Sequence, residues 1–503
     1  MNGSRRGIDR VDLLVQLHGR HDLAGQVYRE IRSAIVEGRV RPPDALPSIR
    51  DLAQMLAVSR NTVAIAYDRL VADGFIASRM GVGMFVRRAA QTAPAAYSVR
   101  SVLRPRPLWE QMDDSSDTVH SEAAFDFRND LPDAGEFPFA TWRSLLATEL
   151  RCGAVSDAAL GHPAGHAGLR AAIARHVGLS RSMHVDADDV CVTNGAQQAI
   201  DLVARVVVEP GDVVAVEDPG CPSAREAFRA HGARMVGVRV DGEGLVVDAL
   251  PEAARLVFVT PSHQNPLGMT MSPDRRRDLL EWAERSGAAV VEDDRGSEFH
   301  AGPRPPAPLR NTDHSDRVLY ISSFSTVLLP TLRLGYVIVP PSLRDAVHRA
   351  KYVAGGSANT PLQAAAARFI EEGRLTRHIR RMRNIYAARR HLLRAALGDE
   401  LSEHLRLVPS AAGLRLAVLL HRHTDDRLVV ARAVAAGVTV RPLSGHAVTA
   451  PARHGLLLGC GAIPSDRIAA GVRRLRYVLD ALPTASEAIP TADYYASTGT
   501  AAV

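Results

Sequence analysis

The segment Ser322–Tyr336 carries the side-chain types that bind a phosphate monoester. Ser323 and Ser325 present hydroxyls at alternate positions, and Arg333 follows with a guanidinium. Hydroxyl donors and the bidentate fork of an arginine are the groups that a phosphate dianion requires. The apolar run from Val318 to Ile321 predicts a buried strand that ends at these residues. The segment is therefore a candidate anion site at the end of a strand.

A second set of polar residues lies in the first 90 residues, on a pattern of three helices and a hairpin. Apolar spacing predicts a helix over 23–38, and Ser48 is placed as the N-cap of a second helix. Ser59 is placed as the cap of a third helix over Arg60–Ala72. The runs Phe75–Arg79 and 84–87 predict two short strands joined by a glycine-containing turn. Helix, short turn, helix and hairpin together predict a winged helix-turn-helix domain.

In such a domain the third helix would enter the major groove of DNA. Its early residues would reach base edges, residues at the start of the second helix would meet phosphate, and the hairpin would meet the backbone or the minor groove. The predicted contacts are Ser48, Arg50, Ser59, Arg60, Asn61, Thr62, Arg79, Gly81 and Gly83. The alternative is a generic three-helix scaffold whose arginines are only solvated.

Charge distribution agrees with a partner that is a polyanion. Residues 1–90 hold 14 arginines against 9 acidic residues, a local excess of +5 in a chain whose formal net charge is +6. Lys351 is the only lysine among the 61 basic residues of the chain.

Beyond a linker, short apolar runs alternate with helical patterns, which predicts a large α/β domain with a mostly parallel sheet. A chain of 503 residues is long enough for several domains. We expect a DNA-binding domain at 20–90, a flexible linker at 91–123, the α/β domain at 124–482 and a disordered tail at 483–503. Without a membrane-spanning run or a signal-type core, a cytoplasmic location is expected. The four scattered cysteines indicate neither a disulfide nor a metal site.

Two sets of ordered motifs resemble known families. The motifs L-P-S-x-R-x-L-A, V-S-R-N-T-V and R-x-G-x-G-x-F-V in the first 90 residues resemble the GntR family. Residues 125–480 resemble the aminotransferase-like domain of fold type I pyridoxal-phosphate (PLP) enzymes. Together the chain resembles MocR-type transcriptional regulators. That resemblance implies a homodimer that binds operator DNA and senses PLP or a PLP–amine adduct in its large domain.

The resemblance also implies a cofactor site. It assigns the phosphate to the turn at Gly195, Ala196 and Gln197, the ring oxygen to Asn265 and the pyridine nitrogen to Asp293. The remaining positions are Ser323, Ser325, Thr326 and Arg333. Asn265 could instead form only a turn with Pro266, Arg333 could tie the sheet edge to a neighbouring helix, and the whole set could now be structural.

Four positions depart from the pattern that the resemblance implies. Thr326 stands where the family has the lysine that forms a Schiff base with PLP. Cys221 replaces an aromatic residue, and Arg295 replaces a tyrosine. Leu456–Gly459 runs through the position of an expected carboxylate-binding arginine. Arg295 is also close enough in sequence to pair with Asp293 and leave it without a cofactor role.

A hydroxyl forms no imine, and transamination needs the lysine both as imine partner and as base. The sequence therefore predicts a DNA-binding regulator whose large domain senses a ligand and dimerises, without enzymatic activity and without covalent PLP. PLP or a similar phosphate ligand would bind non-covalently. The alternatives are a PLP-dependent aminotransferase with a DNA-binding head, and a regulator that has lost small-molecule control. Lys351 is expected to be solvated or to face a dimer partner.

Overall fold

The computed structural model describes residues 15, 17, 22–79, 83–87, 104–112, 123–151, 161–300, 302, 305–356, 359–410, 413–421, 424–449 and 453–482. The chain forms two compact units, Met1–Pro105 and Arg106–Val503. Each unit is described by itself. The predicted tail at 483–503 and most of the predicted linker lie outside the described residues.

The N-terminal unit has the predicted helix-turn-helix order. Its helices are α1 (Leu23–Val36), α2 (Ile49–Met55) and α3 (Arg60–Ala72). Its strands are β1 (Ala45–Leu46), β2 (Ile76–Arg79) and β3 (Gly83–Val86). The strand order is β1-β3-β2 with antiparallel pairing. The pattern of the sequence missed β1, because a two-residue strand has no periodicity to detect.

Hydroxyl caps fix where the second and third helices begin. The Ser48 side chain accepts a hydrogen bond from the Asp51 amide, and Ser59 accepts one from the Thr62 amide. Each cap satisfies an amide that has no partner within its helix, which is worth about 1 kcal/mol. The two predicted caps are confirmed. The three helices pack together through buried apolar residues, which include Val27, Ile31, Leu52 and Val63.

The large unit contains the remaining elements of the chain. Its helices are α4 (Pro107–Gln111), α5 (Phe139–Glu149), α6 (Ala167–Arg181), α7 (Ala196–Val207), α8 (Pro222–Ala230), α9 (Pro273–Ser286), α10 (Arg344–Val353), α11 (Thr360–Glu371), α12 (Arg374–Leu401), α13 (Asp426–Ala435) and α14 (Ile468–Asp480). Its strands are β4 (Phe125–Asp126), β5 (Val190–Thr193), β6 (Val213–Asp218), β7 (Arg234–Asp241), β8 (Gly244–Leu245), β9 (Ala254–Val259), β10 (Ala289–Asp293), β11 (Val318–Ser323), β12 (Gly335–Ile338), β13 (Leu405–Leu407), β14 (Arg415–Leu420), β15 (Val438–Thr439), β16 (Arg441–Pro442) and β17 (Gly455–Gly459).

An eight-stranded sheet forms the centre of the large unit, in the order β5-β12-β11-β10-β9-β6-β7-β8. The strands from β11 to β7 are parallel, whereas β12 is antiparallel to both β11 and β5. The prediction of a mostly parallel sheet is confirmed.

Helices cover both faces of this sheet, which explains the almost continuous apolar strands. Val214 and Val216 of β6 pack in a cluster with Ile200 of α7. Val213, from the same strand, lies in a cluster with Leu279 of α9 on the other face. Alternate residues of a strand point to opposite faces, so the sheet needs apolar residues at nearly every position.

A second sheet of the large unit is antiparallel, in the order β13-β14-β17-β16. The α/β alternation read from the sequence does not reveal this change of topology. Inside the predicted linker, residues 104–112 contain the short helix α4, and the boundary between the two units also falls there. Among the described residues, no helix is both long and apolar enough to cross a membrane.

Candidate functional site

The N-terminal unit presents α3 as a helix with one exposed polar start. Arg60 and Asn61 are exposed, and Thr62 is half-buried. The Ser59 and Thr62 hydroxyls lie 2.8 Å apart and are hydrogen-bonded to each other, so both take part in capping the helix. This arrangement leaves Arg60 and Asn61 as the side chains most free to reach base edges.

The other predicted DNA contacts lie at the start of α2 and on the hairpin. Ser48 and Arg50 are exposed in the first turn of α2. Arg79 pairs with Gly83 across β2 and β3, and Gly83 has a φ of 129°, which favours glycine. Gly81, the remaining predicted contact, lies outside the described residues.

In the large unit, the predicted ligand residues lie along one edge of the central sheet. Asp293 ends β10 and Ser323 ends β11, while Thr193 ends β5. Gly335 pairs with both Ser323 and Thr193, so the ends of β11 and β5 flank a single residue. Ligands of α/β proteins bind at this carboxyl edge of the strands.

Around the start of α7, the structure brings together the predicted phosphate residues. Gly195 is the N-cap of α7 with a φ of 79°. Arg333 donates to the Asn194 carbonyl oxygen at 2.8 Å, and its guanidinium would lie 3.6 Å from a Cβ placed on Gly195. The Ser323 and Ser325 hydroxyls lie 2.8 Å apart. Two hydroxyls, a guanidinium and the amides of a helix start form a cradle for an anion.

Asp293 has a partner within the protein. Its carboxylate accepts a hydrogen bond from Arg295 at 3.0 Å, and only 1% of its side chain is exposed. Burial raises the pKa of Asp293, and Arg295 opposes that rise. The ion pair expected as the alternative role of Asp293 is therefore present.

Asn265 is buried two residues from His263, and its backbone amide donates to the Thr260 hydroxyl at 2.8 Å. Its side-chain Oδ1 has no hydrogen-bond partner among the described residues. A buried polar atom without a partner is costly, so Asn265 has capacity for a further group.

A small cavity, open in part to solvent, lies beside these residues. Its lining includes Thr326, Arg295, His263, Asp130 and Arg415. Asp130 and Arg415 form an ion pair at 2.7 Å, and the Arg415 side chain is only 3% exposed. The Nε of Arg415 has no hydrogen-bond partner among the described residues. Arg415 therefore lines the cavity and keeps one buried donor unused among the described residues.

Sequence reasoning did not identify Asp130, His263 or Arg415. Asp130 and Arg415 lie 285 positions apart in the chain, and each resembles an ordinary surface charge. One local signal was available for His263, which stands two residues before Asn265. No local signal in the sequence connects the two members of the ion pair.

The charged groups of the cavity lining are held in ion pairs, Arg295 with Asp293 and Arg415 with Asp130. Burial lowers the pKa of His263 to about 3, so this ring is neutral near pH 7. Burial alone would raise the pKa of Asp130, but Arg415 and Arg295 hold it below its usual range. Two arginines thus face one aspartate in the lining.

The other predicted residues have local contacts. Gln197 of α7 donates to the Ser223 carbonyl oxygen at 2.8 Å, and Ala196 begins that helix. Cys221 is buried, with its sulfur 3.3 Å from the Ser223 hydroxyl. Thr326 is 7% exposed and faces the cavity.

The prediction for Lys351 is wrong. This residue is 1% exposed, and its ammonium group donates to the carbonyl oxygen of Val192 in β5. Burial lowers its pKa, while the neighbouring Cys191 opposes that change. Helix α10 packs on α7, and Val347, one turn earlier on α10, is buried in the same way. The long aliphatic stem of lysine fits such a packed position, which its charge alone does not indicate.

These residues fit one end of PLP better than the other. Ser323, Ser325, Arg333 and the start of α7 supply what the phosphate of PLP requires. Asp293, the carboxylate predicted for the ring nitrogen, already binds Arg295. The cavity lining contains no amine, since the only lysine is directed to Val192. The residues present therefore fit the phosphate of PLP and offer no side-chain amine to its aldehyde.

Comparison with known proteins gives the same division of the chain. Residues 23–86 match the gntR family of bacterial regulatory proteins, and residues 130–455 match aminotransferase class I and II. The chain is 34% identical to a probable rhizopine catabolism regulatory protein, MocR, of Rhizobium meliloti. That alignment covers 92% of this chain and 95% of the relative. This chain is also 30% identical to the pyridoxine biosynthesis transcriptional regulator PdxR of Corynebacterium glutamicum. The second alignment covers 90% of this chain and 94% of the relative.

The large unit also matches solved aminotransferase structures. A multiple substrate aminotransferase from Thermococcus profundus is 29% identical, with a TM-score of 0.68. The match covers 75% of this chain and 97% of that protein. The helix-turn-helix, the central sheet and the relatives that match most of the chain all indicate the same family. The chain belongs to the MocR-type regulators of the GntR family, and it is a DNA-binding transcriptional regulator with an aminotransferase-like domain.

Proposed function

We propose that the large domain is a sensor that binds a phosphate-bearing ligand such as PLP reversibly and has no transaminase activity. One observation carries this proposal. The residues that would bind a phosphate are present, but residue 326 has a hydroxyl, which cannot form an imine. Ser323, Ser325 and Arg333 gather at the start of α7, while the resemblance to fold type I enzymes assigns the position of the Schiff-base lysine to Thr326.

Each group has a role that its own chemistry allows. Arg333 and the two serine hydroxyls bind the phosphate, and the amides at the start of α7 add the positive end of a helix dipole. Arg415 and Arg295 line the adjoining cavity, where their guanidinium groups would meet an anionic group of the ligand. Bound PLP would supply an aldehyde and an electron-accepting ring, but no residue of the cavity lining can attach to it.

The absence of an amine in the cavity lining also argues against catalysis. Transamination requires a base that moves a proton between two carbon atoms of the adduct, and that base is the lysine. Thr326 does not serve as such a base near pH 7, and His263 is buried beside Arg415 with its pKa lowered to about 3. Ligand binding is the chemistry that remains.

We further propose that the protein acts as a homodimer in the cytoplasm, through residues 124–482. A dimer presents two helix-turn-helix domains, which matches the paired half-sites of most operators. Ligand binding in the large domain would then alter how the two domains meet the DNA. Domain boundaries at 90, 123 and 482 remain part of this proposal.

Calorimetric titration with PLP tests the sensor. We expect reversible binding that dialysis removes, and a loss of roughly tenfold or more in affinity for Arg333→Met, because a charged hydrogen bond contributes about 1.5–3 kcal/mol. Arg377→Met is the matched control, since Arg377 is exposed on α12 and its side chain, among the described residues, donates to the Glu372 carbonyl oxygen. Equal PLP affinity in the wild type and in Arg333→Met would contradict the assignment of the cradle.

A further inference from the structure

Helix α3 has an exposed apolar residue on the face that points away from its own domain. Ile65 is 51% exposed. The buried residues of the helix are Val63, Ala66, Tyr67 and Leu70, so the face opposite to them contains Asn61, Ile65 and Asp68. At 100° per residue, Asn61 and Ile65 lie within about 40° of each other on that face.

Folding gives no reason for isoleucine at this position. Ile65 is not part of the domain core that the described residues form. A β-branched residue is a weaker helix former than alanine, lysine or glutamate, each of which would suit an exposed position better. A helix that enters a DNA groove gives this side chain a partner.

We infer that Ile65 contacts the 5-methyl group of a thymine in each operator half-site. The thymine methyl is the one apolar group that base pairs offer in the major groove, and apolar side chains read it. Asn61, one turn earlier, can read an adjacent adenine. This inference rests on the DNA-binding role of α3.

The length of the contact follows from the same helix. Asn61 and Ile65 are four residues apart, or about 6 Å along the axis, which corresponds to one or two base-pair steps. Asp68 is exposed one turn after Ile65, and its carboxylate would be repelled by DNA phosphates. Contact between α3 and the bases therefore ends near Ile65. The thymine is the last base that α3 contacts, counted from the N-terminus of the helix.

The experiment uses the full-length protein and a duplex selected from random sequence. Each thymine of the selected half-site is replaced in turn by deoxyuridine, which removes only the methyl group. We expect one thymine whose replacement weakens binding about fourfold, from about 0.8 kcal/mol per buried carbon group and 1.4 kcal/mol per tenfold. Ile65→Ala should cause a similar loss on the normal duplex and no further loss on the deoxyuridine duplex.

Val71→Ala is the matched control, because Val71 is 40% exposed on the same helix but six residues further from its start. This variant should bind both duplexes as the wild type does. The inference is overturned if no deoxyuridine substitution affects the wild type, if the two losses add in full, or if Val71→Ala loses as much as Ile65→Ala. Failure to select any duplex would contradict DNA binding itself, which separates the two claims.

Discussion

Replacing Arg415 by leucine should destabilise the large domain by about 3 kcal/mol. The Arg415 guanidinium lies 2.7 Å from the Asp130 carboxylate, and its side chain is 3% exposed. Removing one partner of a buried pair leaves the other charge without compensation, which costs about 3–5 kcal/mol. Asp130 retains 23% exposure, so we place the expected loss at the lower end of that range.

Tryptophan fluorescence during urea unfolding measures this loss. Trp109, Trp142 and Trp282 are the three tryptophans of the chain, and all belong to the large unit. The signal therefore reports on that unit alone. A double variant, Asp130→Gly with Arg415→Leu, should recover most of the stability, because the unpaired carboxylate is gone and glycine accepts the φ of 60° at position 130.

The effect has a defined pH dependence. Because the pKa of Asp130 is lowered in the folded protein, the pair stabilises the fold above the usual carboxyl pKa of 3.8. Its contribution is lost as the pH falls through the lowered folded value. A loss below about 1 kcal/mol at pH 7, as for an exposed pair, would refute the reasoning.

Three further predictions concern DNA binding, assembly and the phosphate turn. Arg60→Ala should weaken specific DNA binding by about 1–3 kcal/mol in a titration, and an unchanged footprint in this variant would show that the major-groove assignment is wrong. Light scattering of the large domain should give a dimer at micromolar concentration, and a monomer would contradict assembly through residues 124–482. Gly335→Ala should displace the start of α7 and weaken binding of inorganic phosphate, because a Cβ there would lie 2.7 Å from the Gly195 backbone; unchanged stability and affinity would contradict this packing.

Local chemistry made much of the fold predictable. Ser48 and Ser59 are caps whose position in the sequence matches the structure, since a cap depends on residues three positions away. The strands that end at Asp293 and at Ser323 are also predictable, because both are buried on two faces and contain long apolar runs. The pairing of Asp293 with Arg295 was predictable because the two residues are only two positions apart in the chain.

Contacts between distant segments could not be predicted in this way. The Asp130–Arg415 pair forms only because the segment after β4 lies beside β14. The buried position of Lys351 depends on the packing of α10 against α7, whereas the sequence offered only its charge. The antiparallel sheet of β13, β14, β16 and β17 likewise depends on pairing that no local pattern encodes.

Borohydride reduction in the presence of PLP, followed by peptide mapping, tests the central claim most directly. The wild type should carry no adduct on a side chain, whereas Thr326→Lys should carry one on residue 326, because the phosphate cradle remains and an amine is restored there. Thr326→Arg is the matched control, since it adds a cation that forms no stable imine. An adduct on Lys351 of the wild type, or none on Thr326→Lys, would contradict a site that holds the phosphate of PLP but offers its aldehyde no amine.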